Sequence, residues 1–166
     1  MSSPVLSSPS VARVRAALQA AGCAGEIVEL PGAVRTARAA AEALGCTPAQ
    51  IANSLVFRGQ RSDAPLLAMT SGALRVDTAR LAALAGEPVG KADADFVRAA
   101  SGFAIGGVAP VGHTAPMRTL VDESLAAYAE IWAAAGHPHT VFRLDYATLL
   151  RLTGGRAAAF TEARGA

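Results

Sequence analysis

The 166-residue chain reads as an α+β fold with a mainly antiparallel or mixed sheet, and three features of its sequence lead there. Strand-like runs come in groups separated by helices, without the regular βαβ alternation of a doubly wound parallel sheet. Capping residues and glycines bracket several short helices. A polar loop, "RGQRSDAP", joins two apolar runs, as in a hairpin.

Ser8-Pro9 is an N-cap followed by proline at the first helical position. The helix continues through "SVARVRAALQAAG", with Val11, Val14, Leu18 and Ala21 on one face, Arg13 and Arg15 outside, and Gly22 as its stop. "GEIVEL" (25–30) is a short strand before the Pro31-Gly32 turn. Thr36 caps a helix over 35–45 that ends at Gly45. Thr47 and Gln50 form a capping box around Pro48, which starts a short helix leading into "NSLVF" (53–57). With "LLAMTSG" (66–72) that strand makes the hairpin. Helices over 77–86 and 92–102 open on aspartates, which suit the positive end of a helix, and close on glycines. Strands are expected over 117–122, 128–134 and 140–144, although the alanine content of 128–134 also allows a helix there, and Asp145 caps a last helix over 146–154. Residues 1–9 are expected as a flexible lead-in and 10–166 as a single domain, with no internal repeat or linker.

Apolar residues make up 52% of the chain and charged ones 17%, which excludes a disordered polymer. A net charge of +2 neither demands a nucleic-acid partner nor excludes one, since a local basic face fits inside a balanced total. Cys23 and Cys46 lack CxxC spacing and are expected as free thiols in a reducing compartment. "MSSPVLSSPS" has no basic region or apolar run, and no stretch is long and apolar enough to span a bilayer. The expected location is the cytoplasm.

"GFAIGGVAPVGH" (102–113) concentrates four glycines and a proline. It contains neither GxGxxG after a strand nor GK[ST], so dinucleotide and P-loop signatures are absent. What remains is either a structural turn or a cradle of backbone N–H groups for a carbonyl, built around Gly106, Gly107 and Pro110. His113 at its end is placed as a general acid or base. His137 and His139 flank a proline, and no carboxylate or thiol cluster completes a metal site with them. Asp122 is either a helix cap or an acceptor for a substrate amine or hydroxyl. Thr36, Ser54, Thr70 and Ser71 are hydrogen-bonding candidates, without a GxSxG elbow to mark a nucleophile.

The order of "TARAAAEALGCTPAQIANSLVF", "LAMTSGALRVDTARLAAL", "GFAIGGVAPVGH", "LVDESL" and "AGHPHTVFRLDYATLLRLTGG" resembles the YbaK / prolyl-tRNA-synthetase-associated editing domain family over nearly the whole chain. The resemblance implies a mixed, mainly antiparallel, barrel-like sheet flanked by helices. It implies a trans-acting deacylase that cleaves the ester of mischarged aminoacyl-tRNA, commonly a proline tRNA carrying a small wrong amino acid, with no cofactor, metal or covalent intermediate. The acceptor end of aminoacyl-tRNA would be its partner, with a synthetase or elongation factor as a further one. In much of that family the residue before "SLVF" is a lysine important for activity; here it is Asn53, which can orient a carbonyl or ribose hydroxyl but supplies no cation. The implied catalytic set is Asn53, Gly106, Gly107 and His113. Thr36, Ser54, Ser71, Lys91 (the only lysine), Pro110, Asp122 and His139 are expected to bind substrate. Arg35, Arg38, Arg58, Arg61 and Arg118 are candidates for acceptor-stem phosphates. A non-catalytic tRNA- or synthetase-binding module is the alternative reading, and a hydrolase or binder of free aminoacyl-like small molecules a third.

Overall fold

The computed structural model describes residues 4–23, 25–32, 34 and 36–164. Ser8 Oγ accepts from the Val11 N–H and begins α1 (Pro9–Ala20) inside the expected lead-in, after a turn over residues 4–7. Residues 1–3 of that lead-in, and Arg35, lie outside the described residues. Then follow β1 (Ile27–Glu29), α2 (Ala37–Leu44), β2 (Ile51–Gly59), β3 (Pro65–Ser71), β4 (Leu74–Val76), α3 (Thr78–Ala85), β5 (Val89–Lys91) and α4 (Ala94–Ser101). After the glycine-rich loop come β6 (Arg118–Asp122), β7 (Ile131–Ala134), β8 (Thr140–Leu144), α5 (Tyr146–Thr153), β9 (Arg156–Ala158) and β10 (Thr161–Ala163). Thr36, Asp77, Asp93 and Asp145 each accept a backbone N–H at a helix start, satisfying donors that have no partner inside the helix.

The main sheet runs β1-β8-β7-β2-β3-β6-β9, with β5 added to β2; β4 and β10 form a separate antiparallel pair. β2 and β3 are the expected hairpin, in register from Ala52 opposite Ser71 to Arg58 opposite Pro65. β2–β7, β3–β6 and β6–β9 are parallel, which makes the sheet mixed. Two departures from the sequence reading stand out. Residues 123–127 form a 3-10 turn, so β7 begins only at Ile131 and not at residue 128. β4, β5, β9 and β10, each three residues long, were not expected, because so short a run carries no periodicity.

Alternation along β2 divides the core. Ala52 and Val56 face a cluster with Val14 and Leu18 of α1, Val97 of α4 and Leu149 of α5. Ile51 faces the other way, onto Ala40 and Ala41 of α2, and Phe57 onto Leu81 of α3 and Phe160. Between those two smaller clusters lies the stretch 53–56.

Candidate active site

The edges of β2 are unequal. β3 covers one edge along its length. On the other, Ile51 and Ala52 pair with Trp132 and Ala133 of β7, and Phe57–Gly59 pair with β5. Among the described residues, no strand covers 53–56 on that side, so this break leaves backbone groups of β2 without ladder partners.

A cavity of about 560 Å³ opens at the break. Leu30, Ala40, Ile51 and Val141 give it an apolar floor, and Trp132 lines it as well. Asn53, Ser54 and Leu55 of β2 line it, facing Ile105, Gly106 and Val108 of the glycine-rich loop. The Asn53 side chain is half-buried and makes no hydrogen bond to a described residue. The N–H groups of Gly106 and Val108 likewise find no acceptor among the described residues. An unpartnered amide side chain and unpartnered main-chain donors therefore share one cavity, where a ligand oxygen could accept from both.

Five of the expected site residues line this cavity: Thr36, Asn53, Ser54, Gly106 and His139. The Thr36 hydroxyl also accepts from the Ala39 N–H, at 3.0 Å, to cap α2. Ser54 Oγ donates to Met69 Sδ at 3.2 Å. His139 sits on the turn before β8, its ring centroid 5.4 Å from that of His137. The His139 N–H donates to His137 Nδ1 at 3.1 Å. Burial, then the neighbouring His139, hold the His137 imidazole below its ordinary pKa, with Glu29 opposing them.

The other six stand elsewhere. Gly107 is buried one residue from the cavity, and its N–H donates to the Ala104 carbonyl at 2.9 Å, so it is no free donor. It packs on the His137-Pro138 backbone so closely that an added Cβ would lie 2.8 Å from the His137 carbonyl carbon. His113 and Pro110 border a different, shallow depression with Thr114 and Met117. His113 Nε2 bonds the Ala109 carbonyl at 2.7 Å, and burial lowers its pKa more than that bond raises it. Ser71 Oγ donates to the Ala49 carbonyl at 2.9 Å. Asp122 is 1% exposed and holds chain together: it accepts from the N–H groups of Ser124 and Phe160 and from the hydroxyls of Ser124 and Thr161. The capping reading of Asp122 is thus the one its geometry matches. Lys91 is exposed on β5 and does not line the cavity.

Among the arginines, Arg58 pairs with Asp63 and lies over the Phe96 ring, Arg38 pairs with Glu42, and Arg118 donates to the Leu84 and Ala85 carbonyls. Both cysteines are free thiols. Among the described residues no helix is long and apolar enough to cross a membrane. Sequence reasoning missed Leu55, Ile105, Val108 and Trp132, whose apolar side chains carry no chemical signature; only the sheet break brings them to one rim.

Fold and cavity define a class: a small α+β domain with an amide-rimmed pocket set into a gap of its sheet. The chain belongs to the aminoacyl-tRNA editing domain family, whose model matches residues 32–152. Among solved structures it is similar to a protein described as a proposed trans-editing enzyme for prolyl-tRNA synthetase, at 44% identity and a TM-score of 0.88, over 93% of this chain and 98% of that one. It is 42% identical, with a TM-score of 0.87, to a structure from work on grafting epitope backbones onto scaffold proteins, covering 95% of this chain and 99% of that one. A third structure, of a protein described as hypothetical, shares the fold at 24% identity and a TM-score of 0.83, over 90% of this chain and 99% of that one. No curated protein matches the chain.

Proposed function

We propose that the protein hydrolyses, in trans, the ester of an aminoacyl-tRNA carrying a small wrong amino acid, with proline tRNA as the first substrate class to test. The family match and the likeness to a proposed prolyl trans-editing enzyme support the reaction class. The observation that carries the reading is the cavity pairing the unpartnered Asn53 amide with the free Gly106 and Val108 N–H groups.

In this reading the aminoacyl group enters over the apolar floor and its carbonyl oxygen turns toward the Gly106 and Val108 amides. Water adds to the acyl carbon, and those donors stabilise the negative charge that develops on oxygen. The bond to the ribose 3′ oxygen then breaks. The amino acid leaves as its carboxylate, one proton of the attacking water reaches the ribose oxygen, relayed by the vicinal hydroxyl, and the other passes to solvent. Asn53 has no cation to contribute, so it orients the ester or the ribose by hydrogen bonds. An aminoacyl ester is already reactive, and positioning with oxyanion stabilisation asks for no more than these groups supply. Discrimination comes from steric exclusion of the larger correct residue, because an apolar pocket separates neighbouring sizes by only about 1–3 kcal/mol per methylene.

Incubating the protein with a panel of mischarged tRNAs tests this. Loss of ester from tRNAs carrying small residues, with the cognate ester spared, is the expected result. Tight tRNA binding without turnover would instead make the protein a non-catalytic binding module, the reading that the replacement of lysine by Asn53 favours.

A further inference from the structure

Two large apolar side chains of the described residues remain exposed, Leu55 at 41% and Ile105 at 55%, and both line the mouth of the same cavity. Scattered exposed aliphatics need no explanation; two converging on one rim do. Leu55 lies two residues beyond Asn53 on β2, about 6.6 Å along the strand on the same face. Two residues further, Phe57 stands directly opposite Lys91, so Lys91 shares that face and is the β5 residue nearest the sheet break. Lys91 is exposed, and its ammonium group makes no ion pair or hydrogen bond with a described residue. Asn53, Leu55 and Lys91 thus form a line: a hydrogen-bonding amide, an aliphatic contact and a free cation.

We propose that this line is a terminal-nucleotide subsite, in which Leu55 and Ile105 hold the faces of the last base of the acceptor end and Lys91 takes a backbone phosphate. The inference rests on the deacylase reading above, which places the ester at Asn53. The terminal ribose carries all three groups, the ester on its 3′ oxygen, the base on C1′ and the phosphate on its 5′ oxygen, so a single nucleotide offers a partner to the amide, to the aliphatic pair and to the cation. A base has apolar faces and gains by leaving water between two side chains. The uncovered edge of β2 at 53–56 adds backbone donors and acceptors beside the base and ribose.

The test uses the trinucleotide CCA and a counterpart whose last residue lacks the base. Binding is followed through the emission of Trp132, the only tryptophan, which lines the cavity. Wild-type protein should bind CCA at least tenfold tighter than the abasic form. A Leu55→Thr, Ile105→Thr double variant should lose that preference while keeping its melting temperature, since both side chains are already exposed. Lys91→Met should weaken both oligonucleotides alike and flatten the salt dependence by about one phosphate contact, a slope change of ~0.7. Equal binding of CCA and its abasic counterpart by wild type, or an unchanged preference in the double variant, would overturn the subsite. If the subsite behaves as described and no mischarged tRNA is deacylated, the deacylase reading alone fails.

Discussion

The middle and the two ends of the glycine-rich loop have similar composition and opposite tasks. In the middle Ile105, Gly106 and Val108 face the cavity, with main-chain donors left open. At both ends the loop is tied down. The Arg13 guanidinium donates to the Gly102 carbonyl at 2.8 Å and the Gly112 carbonyl at 3.2 Å, and sits 4.6 Å from the centre of the Phe103 ring. His113 bonds back to Ala109 at the C-terminal end. Glycine content therefore marks a loop without saying which of its amides are offered to a ligand. An arginine some ninety residues upstream fixes the frame in which the open amides are presented.

Removing the tie should give the largest stability effect. Arg13→Ala loses two charge-assisted hydrogen bonds and a cation–π contact, and should cost about 2–3 kcal/mol in urea unfolding. Arg13→Lys should recover only part of this, because a single ammonium cannot reproduce the fork. If Arg13→Ala unfolds like wild type, Arg13 does not tie the loop ends.

Gly107→Ala probes the middle of the loop, between the open amides of Gly106 and Val108. Its Cβ would press into backbone at His137 and Pro138, which cannot swing aside as a flexible side chain does. Overpacking of this kind costs about 1–3 kcal/mol. Because His139 follows on the same turn, deacylation should fall by more than the loss of folded protein explains. An activity loss matched by the unfolded fraction would separate this glycine from the site.

The smallest effect concerns pH and centres on His113 at the C-terminal tied end. Burial keeps the His113 pKa below the ordinary histidine value of about 6.5. Folding then favours the neutral ring. The stability is fully present above pH ~6.5 and declines as pH falls through the lowered folded value, because the unfolded chain takes up the proton first. In His113→Gln the drop in melting temperature between pH 7.5 and 5.5 should shrink. It should not vanish, since His137 is lowered too, again by burial first. An identical pH dependence in the variant would show that His113 titrates alike folded and unfolded.

Much of the fold was legible because its signals are local. Thr36, Asp77, Asp93 and Asp145 act as caps where their positions ahead of apolar runs said they would, and the β2–β3 hairpin follows from two apolar runs around a polar loop. Strands β4, β5, β9 and β10 were illegible because distant partners define them, as when β9 adds in parallel to β6. The site was legible only in its polar half. Asn53, Gly106, Thr36, Ser54 and His139 converge on the cavity, whereas His113, Asp122 and Ser71 are drawn into bonds with carbonyls, amides and hydroxyls of the protein itself. Sequence position could not tell a polar group awaiting a ligand from one already satisfied.

The most direct test of the central claim is single-turnover deacylation of a proline tRNA mischarged with a small amino acid, comparing wild type with Asn53→Ala. The variant should slow cleavage by about 10²–10³-fold, the scale of losing one donor from a transition-state site, while its melting temperature stays unchanged. Cleavage at the wild-type rate by Asn53→Ala would place the chemistry outside this cavity and contradict the account.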